Sequence, residues 1–538
     1  MNKLSYIVLL AFMVSSTNSV EAQDFNTGKI RIKALNDSLD DKAKFVDSVR
    51  PTRRPPRKWF NHTHLGTNRA TFSRYGLYQD TSFSARTKGY LYRKTFKEHF
   101  IVIDTGDFLL VIDPVLNLEG GMDLADTTSE KLYVNTRGLF VQGKIGQNVI
   151  FSTWFYENQS FHPSYLDDFV SQYGVMPGQG RVKNFKTTGY DYAMAFGVVN
   201  IRAANWLHIE IGNGKHFLGD GYRSLALSGN AFNYPYAQFT SWFGPFQYTN
   251  LFMGFQNLNV ELPTSTVTER RFQRKIGTLH HLDWSVNSHL TVGIFEQMIW
   301  GASKSKGKFE INSDGLSFVN PVPFIRPLQY GLSDENNVLL GINTKIFLPR
   351  DLDIYGQVIL DDLKKNKYGF QIGIKNRHDR DLKVRLEYNQ VAPYTYGHAD
   401  STRNFAHYNQ PLAHPLGAGF SELNGSFFYR FHSGRGSPNF FIAARMSYAM
   451  YDHDGTDYHW GKDIFKSDDS KSLEQILPES SELFYHSYNF GYYLNHSTGA
   501  QISVGLTMRS ETTGGMRDNM RYAYVSFRTF IPERVYDF

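Results

Sequence analysis

AQISVGLTMR, Ala500–Arg509, is the stretch that decides how this chain folds. Ala500, Ile502, Val504, Leu506 and Met508 alternate with Gln501, Ser503, Gly505, Thr507 and Arg509. A period of two puts one set on each face of a β-strand. The pattern recurs where Leu382, Val384, Leu386 and Tyr388 interleave with Lys383, Arg385, Glu387 and Asn389. It recurs again where Tyr368, Phe370, Ile372 and Ile374 interleave with Gly369, Gln371, Gly373 and Lys375. A soluble sandwich also alternates. Here the polar face carries both signs of charge together with small residues, which fits a filled, hydrated lumen behind a wall whose other face meets lipid.

The connections outward from these strands alternate in length. Short turns are expected at Lys144 to Gly146, Ala203-Ala204, Gly244-Pro245, Asn287-Ser288, Pro349 to Asp351, Asn376 to Arg380, Ser433 to Pro438 and Asn495 to Thr498. Between them lie long segments at 159–187, 214–234, 258–274, 301–335, 392–419 and 452–482. Tight periplasmic turns and extended outer loops are the habit of bacterial outer-membrane barrels, and pairing strands around these turns gives about 18 of them. The expected fold is therefore all-β: a transmembrane antiparallel β-barrel of about 18 strands, with short helical segments in the N-terminal region and the outer loops. Arg521–Phe530 alternates as a last strand. The chain ends Val535-Tyr536-Asp537-Phe538, and a terminal aromatic resembles the end signal read by outer-membrane assembly machinery.

Composition narrows the function classes. Aromatic residues make up 15% of the 538, an excess that suits aromatic girdles at two membrane interfaces. Mean hydropathy is −0.40, and beyond the N-terminus no apolar run reaches the length of a helical span. The mild net charge of +6 comes without a basic stripe or recognition motif and does not argue for nucleic acid. The absence of Cys excludes disulfides, thiolate metal sites and cysteine nucleophiles.

Residues 1–22 read as a secretory signal: Lys3, the apolar run Leu4–Val14, and Val20-Glu21-Ala22 before Gln23. Residues 23–105 are expected to form a periplasmic or plug-like segment, with a short helix within Lys29–Val49 and the Pro-rich, basic stretch Pro51–Trp59. Residues 106–538 are expected to form the barrel. The compartment implied is the outer membrane, with lipid and lipopolysaccharide as partners.

The richest local signal is GNGKHFLGDGYRSLALSGNAFNYPY, Gly212–Tyr236. Five glycines at 212, 214, 219, 221 and 229 permit tight turns and close backbone approach. Lys215, His216, Asp220, Tyr222 and Arg223 supply a dense polar set with two readings. They can bind sugar hydroxyls and uronate carboxylates, with Tyr222 or Phe217 stacking on a pyranose face. Or they latch the loop inward, Asp220 pairing with Arg223 or Lys215, because a wide barrel must fill its interior. His216, Asp220 and Ser224 invite comparison with a hydrolytic triad, but no G-x-S-x-G elbow accompanies them, and no catalytic residue is assigned.

No metal or cofactor is expected. His280 and His281 fall on opposite faces of a strand, and Asp452, His453, Asp454, Asp457 and His459 lack calcium-loop spacing. Arg270, Arg271, Arg274 and Lys275 form a basic cluster at the base of an outer loop, suited to lipopolysaccharide phosphates or acidic glycan, or simply solvated. PSYLDDFVSQY, 163–173, places Tyr165, Leu166, Phe169 and Val170 on one face of a short helix that packs over or into the barrel.

Met176–Arg181, Gly189–Ala193 and Gly214–Leu225, extended by Tyr248–Leu251 and Lys275–Leu282, resemble the Wzi-type capsule assembly outer-membrane proteins, with a nearer likeness to the gliding-motility (RemB-like) branch of Bacteroidetes. The resemblance implies an 18-stranded barrel with helical parts, no enzymatic activity, and a role in surface polysaccharide association or assembly or in gliding. Partners would be surface polysaccharide or gliding and secretion components. A passive diffusion channel is the alternative from another class, and an outer-membrane hydrolase a third.

Overall fold

The computed structural model describes residues 65–66 and 89–538, other than 127–130, 147, 263–270, 301–335, 363–364, 377–380, 432–438, 455–458, 468–477 and 532–533. The helix expected within Lys29–Val49 and the basic stretch at 51–59 lie outside the described residues.

Eighteen antiparallel strands close on themselves. They are β1 (Phe108–Asp123), β2 (Lys131–Ile145), β3 (Val149–Phe161), β4 (Gly189–Ala204), β5 (Leu207–Gly214), β6 (Tyr234–Phe243), β7 (Phe246–Leu262), β8 (Arg271–Ser285) and β9 (Leu290–Trp300). The ring continues through β10 (Asn337–Leu348), β11 (Leu352–Asp362), β12 (Lys367–Asn376), β13 (Leu382–Val391), β14 (Phe420–Phe431), β15 (Phe440–His453), β16 (Glu479–Asn495), β17 (Ala500–Thr513) and β18 (Met516–Thr529). Each pairs with the next. β18 returns to β1 in a register running from Tyr522 opposite Asp123 to Thr529 opposite Leu116, which removes any free edge. Six of the eight short turns expected from the sequence fall between paired strands on one side of the ring, within two residues of their expected places; those at 376–380 and 433–438 lie largely or wholly outside the described residues.

The alternation sorts side chains as the membrane requires. Ile342, Ile346, Val358, Ile372, Ile502, Val504 and Val525 project outward and are exposed on the isolated barrel. Gln357, Gln371, Lys383, Arg385, Glu387 and Asn389 project inward and are buried. Trp206, Phe243, Trp284, Phe431 and Phe440 ring the short-turn end as exposed aromatics, the girdle position. One outward row is polar: Asn250, His280 and Glu296 stand opposite one another on β7, β8 and β9, and His280 Nδ1 lies 2.7 Å from Asn250 Oδ1. No helix among the described residues is long and apolar enough to cross a membrane.

The small residues of the inner face have a packing reason. Gly341, Gly373, Gly491 and Gly505 lie directly opposite Phe295, Tyr355, Phe441 and Tyr524. Each aromatic ring lies across the neighbouring strand where a Cβ would otherwise stand. At Gly373 an added Cβ would be 2.3 Å from the Tyr355 ring.

Two helices complete the described fold. α1 (Tyr90–Phe96) sits at the short-turn end, where Asn495 Nδ2 donates to the carbonyl of Glu98 at 3.1 Å and Ser497 Oγ to that of Lys97 at 2.8 Å. The strand Ile101–Asp104 then pairs with the start of β1. α2 (Ser164–Tyr173) begins after Pro163, ends at Gly174 with φ 70°, and buries Leu166 and Val170, the helix expected at 163–173. Beyond β18 the described tail residues turn into the lumen: Ile531 and Asp537 are buried, and the Phe538 ring packs 5.2 Å from Phe169 of α2.

Gly373→Val is expected to lower barrel stability by about 1–3 kcal/mol through overpacking against Tyr355. Gly120→Ala, where an added Cβ meets nothing within 4 Å, should cost about 0.5 kcal/mol or less. Urea midpoints in detergent, followed by heat-modifiable gel mobility, distinguish the two.

Candidate functional site: a filled lumen

After Gly214 the chain turns into the barrel instead of away from it. Lys215 Nζ holds the neck of the loop, donating to the carbonyls of Gly178 at 2.5 Å and Gly229 at 3.0 Å. His216 is buried, with Nδ1 3.2 Å from the Tyr234 hydroxyl. Phe217 and Leu218 pair with Gly66 and Leu65 of the N-terminal segment. Asp220 reaches Lys345 at 2.6 Å and Lys375 at 3.3 Å, near the short-turn ends of β10 and β12. Gly221 is required there: a Cβ would fall 2.4 Å from the Glu387 carboxylate and 2.7 Å from the Arg223 carbonyl. That carboxylate accepts the backbone N–H groups of Tyr222 at 2.6 Å and Arg223 at 3.0 Å.

The Arg223 guanidinium then joins three parts of the molecule. It meets Glu422 of β14 at 2.8 Å and Asp537 of the C-terminal tail at 3.0 Å. Tyr222 Oη also donates to Asp537 at 2.5 Å, and His414 Nε2 lies 2.7 Å from Glu422. Leu225 N–H donates to Gln357 at 2.6 Å, and its carbonyl accepts Tyr396 Oη at 2.6 Å. Ser228 closes the span on the carbonyls of Leu412 and Ala413. The loop thus crosses from β5 to the far wall, and each polar residue named makes at least one hydrogen bond or ion pair, although His216 Nε2 is buried without one.

The tail fills the near side. Phe530 stacks on Phe140 with centroids 4.7 Å apart, and the Phe538 carbonyl accepts Arg509 Nε at 3.1 Å. The 392–419 loop also folds in: Lys275 Nζ donates to the carbonyl and side-chain oxygens of Asn404 at 2.7 and 2.8 Å. Between loop, tail and the β3–β4 wall lies a cavity of about 140 Å³, lined by Trp154, Tyr156, Lys215, Asn230, Arg534 and Tyr536 among others.

Burial sets the protonation of this interior. Desolvation holds His162, His216 and His407 at about 3. Desolvation, helped by nearby Arg534, holds Lys215 at about 7. Burial works against the Arg223 cation as well, but Asp537 and Glu422 outweigh it and keep the guanidinium charged.

The five residues singled out in the loop are therefore brought together in the lumen, but Asp220 pairs with wall lysines and not with Arg223 or Lys215. His216, Asp220 and Ser224 do not assemble: Ser224 Oγ donates to the Leu218 carbonyl at 2.5 Å, while His216 and Asp220 bond elsewhere. The basic cluster is split by strand alternation. Arg274 is exposed, whereas Lys275 is buried in the lumen and is not part of an outer patch. Arg270 lies outside the described residues, as does the Arg271 side chain. His280 faces out and His281 in, 3.6 Å from Asp283. Asp454 accepts His459 at 3.0 Å and the N–H of Asp463 at 2.6 Å, a loop clasp. Among the described residues no group of His, Asp and Glu is placed to hold a metal. Glu387, Glu422 and Asp537 were missed as candidates. Their partners at Tyr222 and Arg223 are 164 to 315 residues away, and no local motif marks them.

A closed ring, an apolar outer wall, a girdle of aromatics and a polar interior decide the class. The chain is a transmembrane β-barrel of the outer-membrane type. No protein-family model matches it, and no curated protein does. Among solved structures it is similar to Wzi of Escherichia coli, an outer-membrane protein involved in group 1 capsule assembly and a carbohydrate-binding β-barrel. The identity is 15% and the TM-score 0.47, covering 78% of this chain and 84% of that one. It is also similar to OprD of Pseudomonas aeruginosa, with 10% identity, TM-score 0.41 and 78% and 94% coverage. Pseudomonas aeruginosa OpdL follows with 8% identity, TM-score 0.41 and 79% and 98% coverage.

Arg223→Ala is expected to destabilise the barrel by about 3–5 kcal/mol, because it leaves two buried carboxylates uncompensated. Acid acts through the histidines. Their folded values lie below the ordinary 6.5, so the unfolded chain binds protons that the folded one refuses. Stability should fall as pH drops from about 6.5 toward 3, and His407→Gln should make that slope shallower in pH-dependent unfolding midpoints.

Proposed function

We propose that this protein is a non-enzymatic, closed outer-membrane barrel that acts at the cell surface in polysaccharide association or assembly. The observation that carries the reading is the filled lumen. The Gly214–Tyr234 loop is tied to the opposite wall by Asp220, Arg223 and Leu225, and the tail occupies the space beside it. A diffusion channel needs a continuous water path, and here the loop and the tail occupy the interior, with Glu387, Glu422 and Asp537 committed to loop groups. The sequence resemblance of Met176–Leu225 to capsule-assembly barrels adds the glycan side of the reading, with gliding motility as the alternative surface role that the same resemblance implies. Against hydrolysis, Ser224 spends its hydroxyl on a backbone carbonyl. The N-terminal segment through residue 105 is assigned a periplasmic or plug-like place; α1 against the short-turn end supports the first, and the pairing of Leu65–Gly66 with the lumen loop supports the second.

Two measurements test this. The purified full-length protein in planar bilayers should show no steady ion conductance; stable open-channel currents would favour the porin reading. Deletion of the gene, scored for capsule retention and colony spreading, should reduce surface-bound polysaccharide. A loss of spreading alone would move the assignment to motility, and no change in either would overturn it.

A further inference from the structure

The luminal cavity is lined by two basic side chains that make no ion pair among the described residues. Arg534 enters from the C-terminal tail. Its guanidinium stacks over the Tyr156 ring at 5.2 Å, and Nη1 makes one long contact, 3.4 Å, to Asn158 Oδ1. Its Nη2 is buried and makes no hydrogen bond. The phenols of Tyr156, Tyr536 and Tyr192 surround the guanidinium, and those of Tyr156 and Tyr536 also hydrogen-bond it, but no carboxylate is among the groups acting on it. Lys215 is the second basic group, anchored to two backbone carbonyls; burial and Arg534 hold it at about 7, so an anion bound beside it would favour its charged form. Neither makes an ion pair among the described residues. Asp537 lines the same cavity, but its carboxylate is committed to Arg223 at 3.0 Å and to Tyr222 Oη at 2.5 Å.

A buried guanidinium nitrogen without an acceptor is costly. The local chemistry favours an anion that brings oxygen to it, and a planar carboxylate suits an arginine fork. The rest of the lining adds shape. The volume, about 140 Å³, is close to that of a cavity of roughly 150 Å³ that takes up benzene, which limits the site to no more than one ring. Trp154, Tyr156 and Phe217 provide flat apolar walls. Asn230 and Asn233 spend their Nδ2 groups on the carbonyls of Pro411 and Ala195, leaving their amide oxygens to accept hydroxyl donors.

We propose that the cavity between Lys215 and Arg534 is a binding site for one small carboxylate on a hydroxylated six-membered ring, a single uronate-type unit. The carboxylate sits against Arg534 Nη2 and Lys215, and the ring lies along Tyr156 and Trp154. This site stands or falls apart from the surface-glycan reading, since it is internal and takes one ring.

The test is equilibrium dialysis of the full chain in detergent, with long incubation so that slow entry is not mistaken for no binding. The probes are glucuronate, glucose and inorganic phosphate. Glucuronate should bind saturably at one site, and glucose about tenfold more weakly or less. Arg534→Gln and Lys215→Gln should each weaken glucuronate about tenfold while heat-modifiable mobility is retained. If Arg534→Gln does not fold, Arg534→Lys, which keeps the charge and loses the fork, should still weaken binding measurably. Absence of saturable glucuronate binding to the parent chain, or affinity unchanged in all folded variants, would overturn the proposal. Phosphate binding as tightly as glucuronate would overturn the ring component.

Discussion

An 18-stranded ring encloses more width than its inward side chains can close by themselves. Everything distinctive in this structure answers that constraint. Water can fill the gap, as in a porin, or chain can. Here chain does, and chain inside a barrel brings its own difficulty, because each backbone group and charge carried into the interior must find a partner. The Arg223 cluster is how that is met at the centre. One guanidinium neutralises a wall carboxylate and a tail carboxylate at once, while Glu387 receives the two backbone N–H groups that lead into it.

Wall and filling fit each other. Inward glycines opposite Phe295, Tyr355, Phe441 and Tyr524 let large rings lie down along the wall, which thickens it without crowding the loop. Inward Lys345, Lys375, Gln357, Gln371 and Glu387 form a sequence of sites that match the loop from Asp220 to Leu225. Such buried polar contacts cost desolvation and add little net stability. Their effect is better understood as setting one register of the loop against the wall, since any slip would leave charges unpaired.

Much of the architecture was legible because it depends on local rules. Strand alternation at Leu382–Asn389 and Ala500–Arg509 follows from which face meets lipid. The six described short turns follow from glycine, proline and asparagine chemistry, and α2 from Pro163 and the spacing of Leu166 and Val170. The site was half legible. The glycines of Gly212–Gly229 marked a loop under steric constraint, and Lys215, Asp220, Tyr222 and Arg223 were its evident polar members. The partners were not, because Glu422 and Asp537 are brought to Arg223 by ring closure across 199 and 314 residues. Arg274 and Lys275 looked like one patch, but adjacent residues on a strand point to opposite sides of the wall. The aromatic at Phe538 was legible as an end signal, but an aromatic terminus is compatible with either destination. Only the packing of α2 and Arg509 against it distinguishes lumen from lipid.

The account turns on the loop occupying the interior, and the absence of cysteine from the chain makes that directly measurable. Leu225 is wholly buried in the lumen, whereas Met516, the first residue of β18 on the side opposite the short turns, is 78% exposed. With single cysteines placed at these positions and intact cells treated with a membrane-impermeant maleimide, Met516→Cys should label rapidly and Leu225→Cys should remain unlabelled until the protein is denatured. Rapid labelling of Leu225→Cys in the folded barrel would contradict the account.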